Sequence, residues 1–230
     1  MKLRIWAAVA LLTASSISSA AGSAVVNGRF INNIIPQGYC AIGDAIKRDA
    51  LTKTAQGFSG ATGLVLSVFE SCPGKQASAP NGQGPTYRFG RVIVGRVNGT
   101  TVASNESTRA QYLAVLNSVI QKETPSISQD PDKRLLAARS SKVPVYEDWG
   151  AIGRDANAIY RGSLGTLEAN GKKPTLGIFV AALTFANNQT FVNFLCEIVN
   201  DNTSVAGLLA EQQKLTASFV KDNKPDKSRD

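Results

Sequence analysis

The sequence contains no histidine, and that absence excludes more chemistry than any residue present supplies. Without imidazole there is no Ser-His-Asp or Cys-His relay, in which the ring must shuttle the proton. Imidazole-ligated zinc goes with it, including every H-E-x-x-H variant. Cysteine is scarce, limited to Cys40, Cys72 and Cys196. A zinc site of three thiolates would need all of them to converge and stay reduced. No metal and no cofactor is therefore expected. The basic residues are dispersed, with no run of five like charges, so nucleic acid is not an expected partner. After the N-terminus, no apolar stretch reaches the roughly 20 residues that a spanning helix needs.

What is present begins with a leader. Lys2 and Arg4 precede the apolar run Ile5–Leu12, and Ser18-Ser19-Ala20-Ala21-Gly22 offers small residues for cleavage after Ala20 or Ala21. The apolar run is too short for a membrane anchor, and Cys40 comes too late for a lipid-anchored N-terminus. The division expected is a signal peptide over 1–21, one domain over 22–221 and a charged, disordered tail over 222–230. The formal charge is +8; Lys2 and Arg4 are the leader's only charges, so cleavage leaves +6. In an oxidising compartment, three cysteines leave one over. Cys40 and Cys72 each close an apolar segment at a loop and form the expected disulfide. Cys196, among Phe194, Leu195 and Ile198, reads as a buried, inert thiol.

The most informative stretch is Pro174–Asn200. Two apolar runs flank Asn187-Asn188-Gln189, and asparagine tolerates the positive φ of a tight hairpin turn. Both runs are apolar on both faces, so the hairpin must be covered from above and below. That requirement points to a three-layer α/β/α sandwich with a mostly antiparallel sheet.

Elsewhere, Val25–Ile35 reads as one weak strand and Gly38-Tyr39-Cys40 as a turn. Asp44 caps a helix to about Gln56, with Gly57 ending it. Gly63–Cys72 and Thr86–Val97 are strands, and Asn98-Gly99 is a tight turn. A helix starts near Ser104 or Asn105, with Tyr112, Leu113, Leu116, Val119 and Ile120 in one stripe. Asp130-Pro131 opens a short helix. Val145–Ile152 and Ala158–Leu167 continue a meander into the hairpin. Asn202 caps a closing helix whose face carries Val205, Leu208, Leu209, Gln212, Leu215 and Phe219. This order resembles the Mog1/PsbP-like α/β/α sandwich. The opening Ile35-Pro36-Gln37-Gly38-Tyr39-Cys40, with a second cysteine after a strand, resembles small exported proteobacterial proteins of unknown function. The resemblance implies the architecture and brings no catalytic residue with it.

Two kinds of chemistry survive. Glu70, Glu147, Asp148, Asp155, Glu168, Glu197 and Asp201 lie in or beside strands, and a facing pair of carboxylates could cleave a glycosidic bond. Glu197 shares a face with Phe191, Leu195 and Val199. There it is either a general acid raised by burial or the partner of an arginine such as Arg161. For binding, Tyr87, Arg88, Phe89, Arg91 and Arg96 form the best patch, with Tyr87, Phe89 and Arg91 on one strand face and Arg88 on the other. Rings interleaved with arginine stack on flat ligands, or form core with the arginine stems along its rim. Trp149 is either a second exposed contact or a plug at a strand end. The function expected is that of an exported, non-catalytic accessory or binding protein of the bacterial cell envelope, periplasmic or secreted. Its partner would be an envelope protein or an anionic envelope component. The alternatives are a histidine-independent hydrolase and a secreted effector.

Overall fold

The computed structural model describes residues 22–72, 87–98, 100–101, 108–123, 130–139, 146–167 and 175–224. The leader, Gly99, the helix start at Ser104 or Asn105, and the 225–230 part of the tail lie outside the described residues.

The expected hairpin is β9 (Thr175–Ala186) with β10 (Gln189–Ile198), antiparallel and closed by the pair Gln189↔Ala186. Asn187 and Asn188 turn it at φ 46° and 60°, the doubly left-handed pair of a type I′ turn. Around it runs one antiparallel sheet, in the order β3 (Tyr39–Ala41), β4 (Gly63–Ser71), β5 (Arg88–Val97), β10, β9, β8 (Ala158–Leu167), β7 (Tyr146–Arg154). A short β6 (Thr100–Thr101) pairs with the end of β5. The last four strands form the expected meander. The N-terminal segment is not one strand but the hairpin β1 (Ala24–Val26) and β2 (Arg29–Ile31). Asn27 and Gly28 turn it at φ 51° and 73°, so the same asparagine chemistry that marks the central hairpin was present here too. Tyr39 and Cys40 likewise belong to a strand rather than a turn.

Helices cover both faces. On the first lies α4 (Val205–Asp222), whose Phe219 ring meets Phe191 edge to face at 5.0 Å. The short α3 (Pro131–Arg139) packs against its N-terminal end, and the β1–β2 hairpin is tied to the same face by Gln189 Nε2 donating to the Val26 carbonyl at 3.0 Å. This side is dry: Phe191, Leu195, Val180, Ile178, Val92 and Leu208 are all buried. On the second face, α1 (Ala45–Ser59) covers β4 and α2 (Arg109–Glu123) covers β9 and β8. Between them, Phe89, Arg91, Val192, Phe194, Phe179 and Ala181 are only half-buried. On the first face, Gly90 stands opposite Leu195 and leaves room for the Phe69 ring, since a Cβ there would run into that ring and the Phe194 carbonyl.

Several boundaries shift for local reasons. Helix α1 runs through Gly57 and stops at Gly60, which takes φ 54°. Val119 is 46% exposed and falls outside the buried stripe of α2. Helix α4 is capped by Ser204, whose Oγ accepts from Gly207 N, rather than by Asn202. Asn223, assigned to the tail, is buried and pairs with Asn32. Cys40 and Cys72 form the expected disulfide, and Cys196 is free and buried.

Candidate functional site

The start of β5 sends side chains to both faces, and each side builds a different cluster. Tyr87, Phe89 and Arg91 go to the second face. The Tyr87 and Phe89 rings lie 6.0 Å apart. Lys47 of α1 donates to the Tyr87 hydroxyl at 2.8 Å and pairs with Glu70, which also accepts from Tyr87. Burial pulls the Glu70 pKa up, but the hydrogen bonds from Lys47 and Tyr87 and the lysine charge outweigh it and hold the carboxyl below its usual value. This cluster latches the start of α1 to the sheet.

Two residues on, Arg91 stands opposite Phe194 in register, its guanidinium carbon 4.3 Å from the ring centroid. Burial draws its pKa down, and a guanidinium keeps its charge in proteins regardless. Phe89 stands opposite Cys196, and Cys196 opposite Phe179 on the next strand. Burial pushes the Cys196 thiol far up despite Arg91, which leaves it without thiolate reactivity. The result is a strip of three phenylalanines and one arginine across three strands, bounded by α1 on one side and α2 on the other.

Arg88 points to the first face. Its Nε donates to Glu197 Oε2 at 2.7 Å, and its Nη1 donates to Glu211 of α4. Glu211 Oε1 also accepts from the Tyr39 hydroxyl at 2.6 Å. Burial, then the Glu211 hydrogen bond, pushes the Tyr39 phenol well up. Glu197, 2% exposed, is therefore the partner of an arginine. Its cation is Arg88, directly across the β5–β10 ladder, and not Arg161, which pairs with Asp148. Four strands and helices meet at this ion cluster, and each acid in it already has a donor. Glu211 and Tyr39 escaped the sequence reading because nothing local announces them: they reach Arg88 from 123 residues downstream and from β3.

Of the six residues expected to bind, the structure brings Tyr87, Phe89 and Arg91 together and sends Arg88 to the opposite face. Arg96 lies at the far end of β5, opposite Thr101. Trp149 is on β7 at the other edge of the sheet and is 2% exposed, which fits a plug and not an exposed contact. Among the described residues, no three His, Cys, Asp or Glu side chains converge as metal ligands, and no helix is long and apolar enough to cross a membrane. Comparison with protein-family models, curated proteins and solved structures found no match.

Proposed function

We propose that the chain is an exported, non-catalytic accessory protein of the bacterial cell envelope, which binds an anionic envelope component through the strip between α1 and α2. The observation that carries this reading is the row Phe89, Arg91 and Phe194. These aromatic and cationic side chains are adjacent in register and half-buried on a sheet face that, among the described residues, α1 and α2 cover at its flanks. Rings and a guanidinium together suit a partner that is flat or apolar and carries negative charge. A formal charge of +6 after leader cleavage favours the same partner at long range. The leader supports export, and the Cys40–Cys72 disulfide suits an oxidising compartment. The resemblance to the Mog1/PsbP-like sandwich contributes architecture alone.

The hydrolase alternative has no comparable support, since Glu197 and Glu211 are both engaged by Arg88. The test is co-sedimentation of the oxidised mature protein with anionic vesicles, neutral vesicles and an insoluble acidic polysaccharide. Binding to one of the anionic arms, weakened by salt and by Arg91→Gln, is expected. Equal binding to neutral vesicles, or wild-type binding by Arg91→Gln, would overturn the reading. Fractionation of expressing cells should recover a chain beginning at Ala21 or Gly22 in the periplasm; recovery from the medium alone would favour the secreted effector.

A further inference from the structure

Asn193 sits in the dry half of β10, alternating with Phe191 and Leu195, and is 8% exposed. Its neighbours across the ladders are Val92 and Ala182. Its backbone carbonyl accepts from Gln212 Nε2 at 2.6 Å, but its side-chain Oδ1 has no hydrogen-bond partner among the described residues. A buried acceptor left bare costs about 1–3 kcal/mol, so native proteins nearly always satisfy it with protein, water or ligand. An aliphatic residue would fill this position at no such cost.

Asn193 lines a void of about 10 Å³, walled mainly by Phe69, Val92, Leu215 and Phe219, with Asn33 and Gln212 beside them. That is room for about one water or one hydroxyl. The void shares Asn33, Pro36, Leu215 and Phe219 with a cleft of about 350 Å³ between α4 and the chain before β3. The cleft lies within the size range of small-molecule pockets. Pro36, Leu215 and Phe219 give it apolar lining, and Lys214, Gln37, Ser218 and Glu211, which already accepts from Arg88 and Tyr39, give it polar lining with donors and acceptors.

From this geometry we propose that the cleft binds a small neutral polyhydroxyl molecule, a saccharide unit, with one hydroxyl inserted in the inner void as donor to Asn193 Oδ1. The inserted group is neutral because the void's walls are largely hydrocarbon, where an ammonium would be desolvated without a carboxylate beside it. The rest of the ligand offers both donors and acceptors because the polar lining does, and a hydroxyl serves as either. The C–H face of such a ring packs on Pro36 and Leu215. The site lies on the sheet face opposite the Phe89–Arg91–Phe194 strip, of which Phe194 alone also borders the void.

The experiment is titration of the oxidised mature protein with glucose, N-acetylglucosamine and glycerol, with butylamine as a cationic comparison, followed by saturation-transfer NMR. At least one neutral probe should bind saturably. Asn193→Leu should weaken that binding by about tenfold or more, the equivalent of one buried hydrogen bond, while Tm stays level or rises because an unsatisfied acceptor has gone. Arg91→Gln should leave it unchanged. Absence of saturable binding by every hydroxyl probe, binding by butylamine alone, or undiminished binding by Asn193→Leu would each overturn the proposal.

Discussion

Arg88 is the residue whose loss the fold should feel most. It holds a carboxylate that is 2% exposed and a second one on α4, so Arg88→Met strands a buried charge rather than merely deleting a contact. Breaking such a pair from one side costs about 3–5 kcal/mol. Chemical denaturation should show a loss of that order, and Arg88→Met combined with Glu197→Leu should recover much of it. Titration offers a second check. Burial, with hydrogen bonds to Glu211 and Asp155, raises the pKa of Tyr39 and Tyr160 above the ordinary 10.0. Both phenols stay protonated in the folded chain where an unfolded chain would ionise. Their contribution is fully present below pH 10 and is lost as pH rises above it, by about 1.4 kcal/mol per pH unit for each. Denaturant midpoints measured from neutral pH into alkali should fall steeply past that point, and Tyr39→Phe should flatten the fall.

At this scale the sequence was half legible. Its apolar neighbours on the strand left Glu197 as either a general acid raised by burial or the partner of an arginine. Which cation it takes depends on the β5–β10 register, a long-range pairing that no local pattern announces. The aromatic and arginine alternation around Phe89 was readable because period two is a local property. Its position between two helices was not.

Among the elements, those with self-contained turn chemistry were readable: the β9–β10 hairpin, β8 and the short α3. The β1–β2 turn carries the same signal in Asn27-Gly28 but lies inside an apolar run, which reads as one strand. β3 is three residues long and exists through pairing with β4, so its cause is outside its own sequence. The start of α4 is a similar case. Besides Ser204, the carboxylate of Asp132 on α3 accepts from Val205 N at 2.7 Å and from Ala206 N at 3.4 Å, satisfying amides that an isolated helix leaves bare. Asp132→Ala should therefore cost about 1 kcal/mol, and hydrogen exchange should show the loss concentrated in the first turn of α4. Uniform loss across the sheet would mean that Asp132 acts through α3 packing instead.

For the molecule as a whole, the two faces of one sheet have different states. Among the described residues, the first is covered by α4, α3 and the β1–β2 hairpin, with a cleft beside α4, and the second is covered by α1 and α2 at its flanks with a half-buried middle. The disulfide ties β3 to the end of β4 across 32 residues of sequence. A Cys40→Ala, Cys72→Ala double variant should lose about 3–4 kcal/mol on the chain-entropy account, readable as a lowered denaturant midpoint. The contrast between faces is what the envelope-binding proposal stands on. It is tested most directly by oxidative surface labelling of the mature protein, alone and bound to the anionic arm that retains it. Phe89 and Phe194 should be labelled in the free protein and protected in the bound one, with Phe191 and Leu195 silent in both. Unlabelled Phe89 and Phe194 in the free protein, or labelling that binding leaves unchanged, would contradict the account.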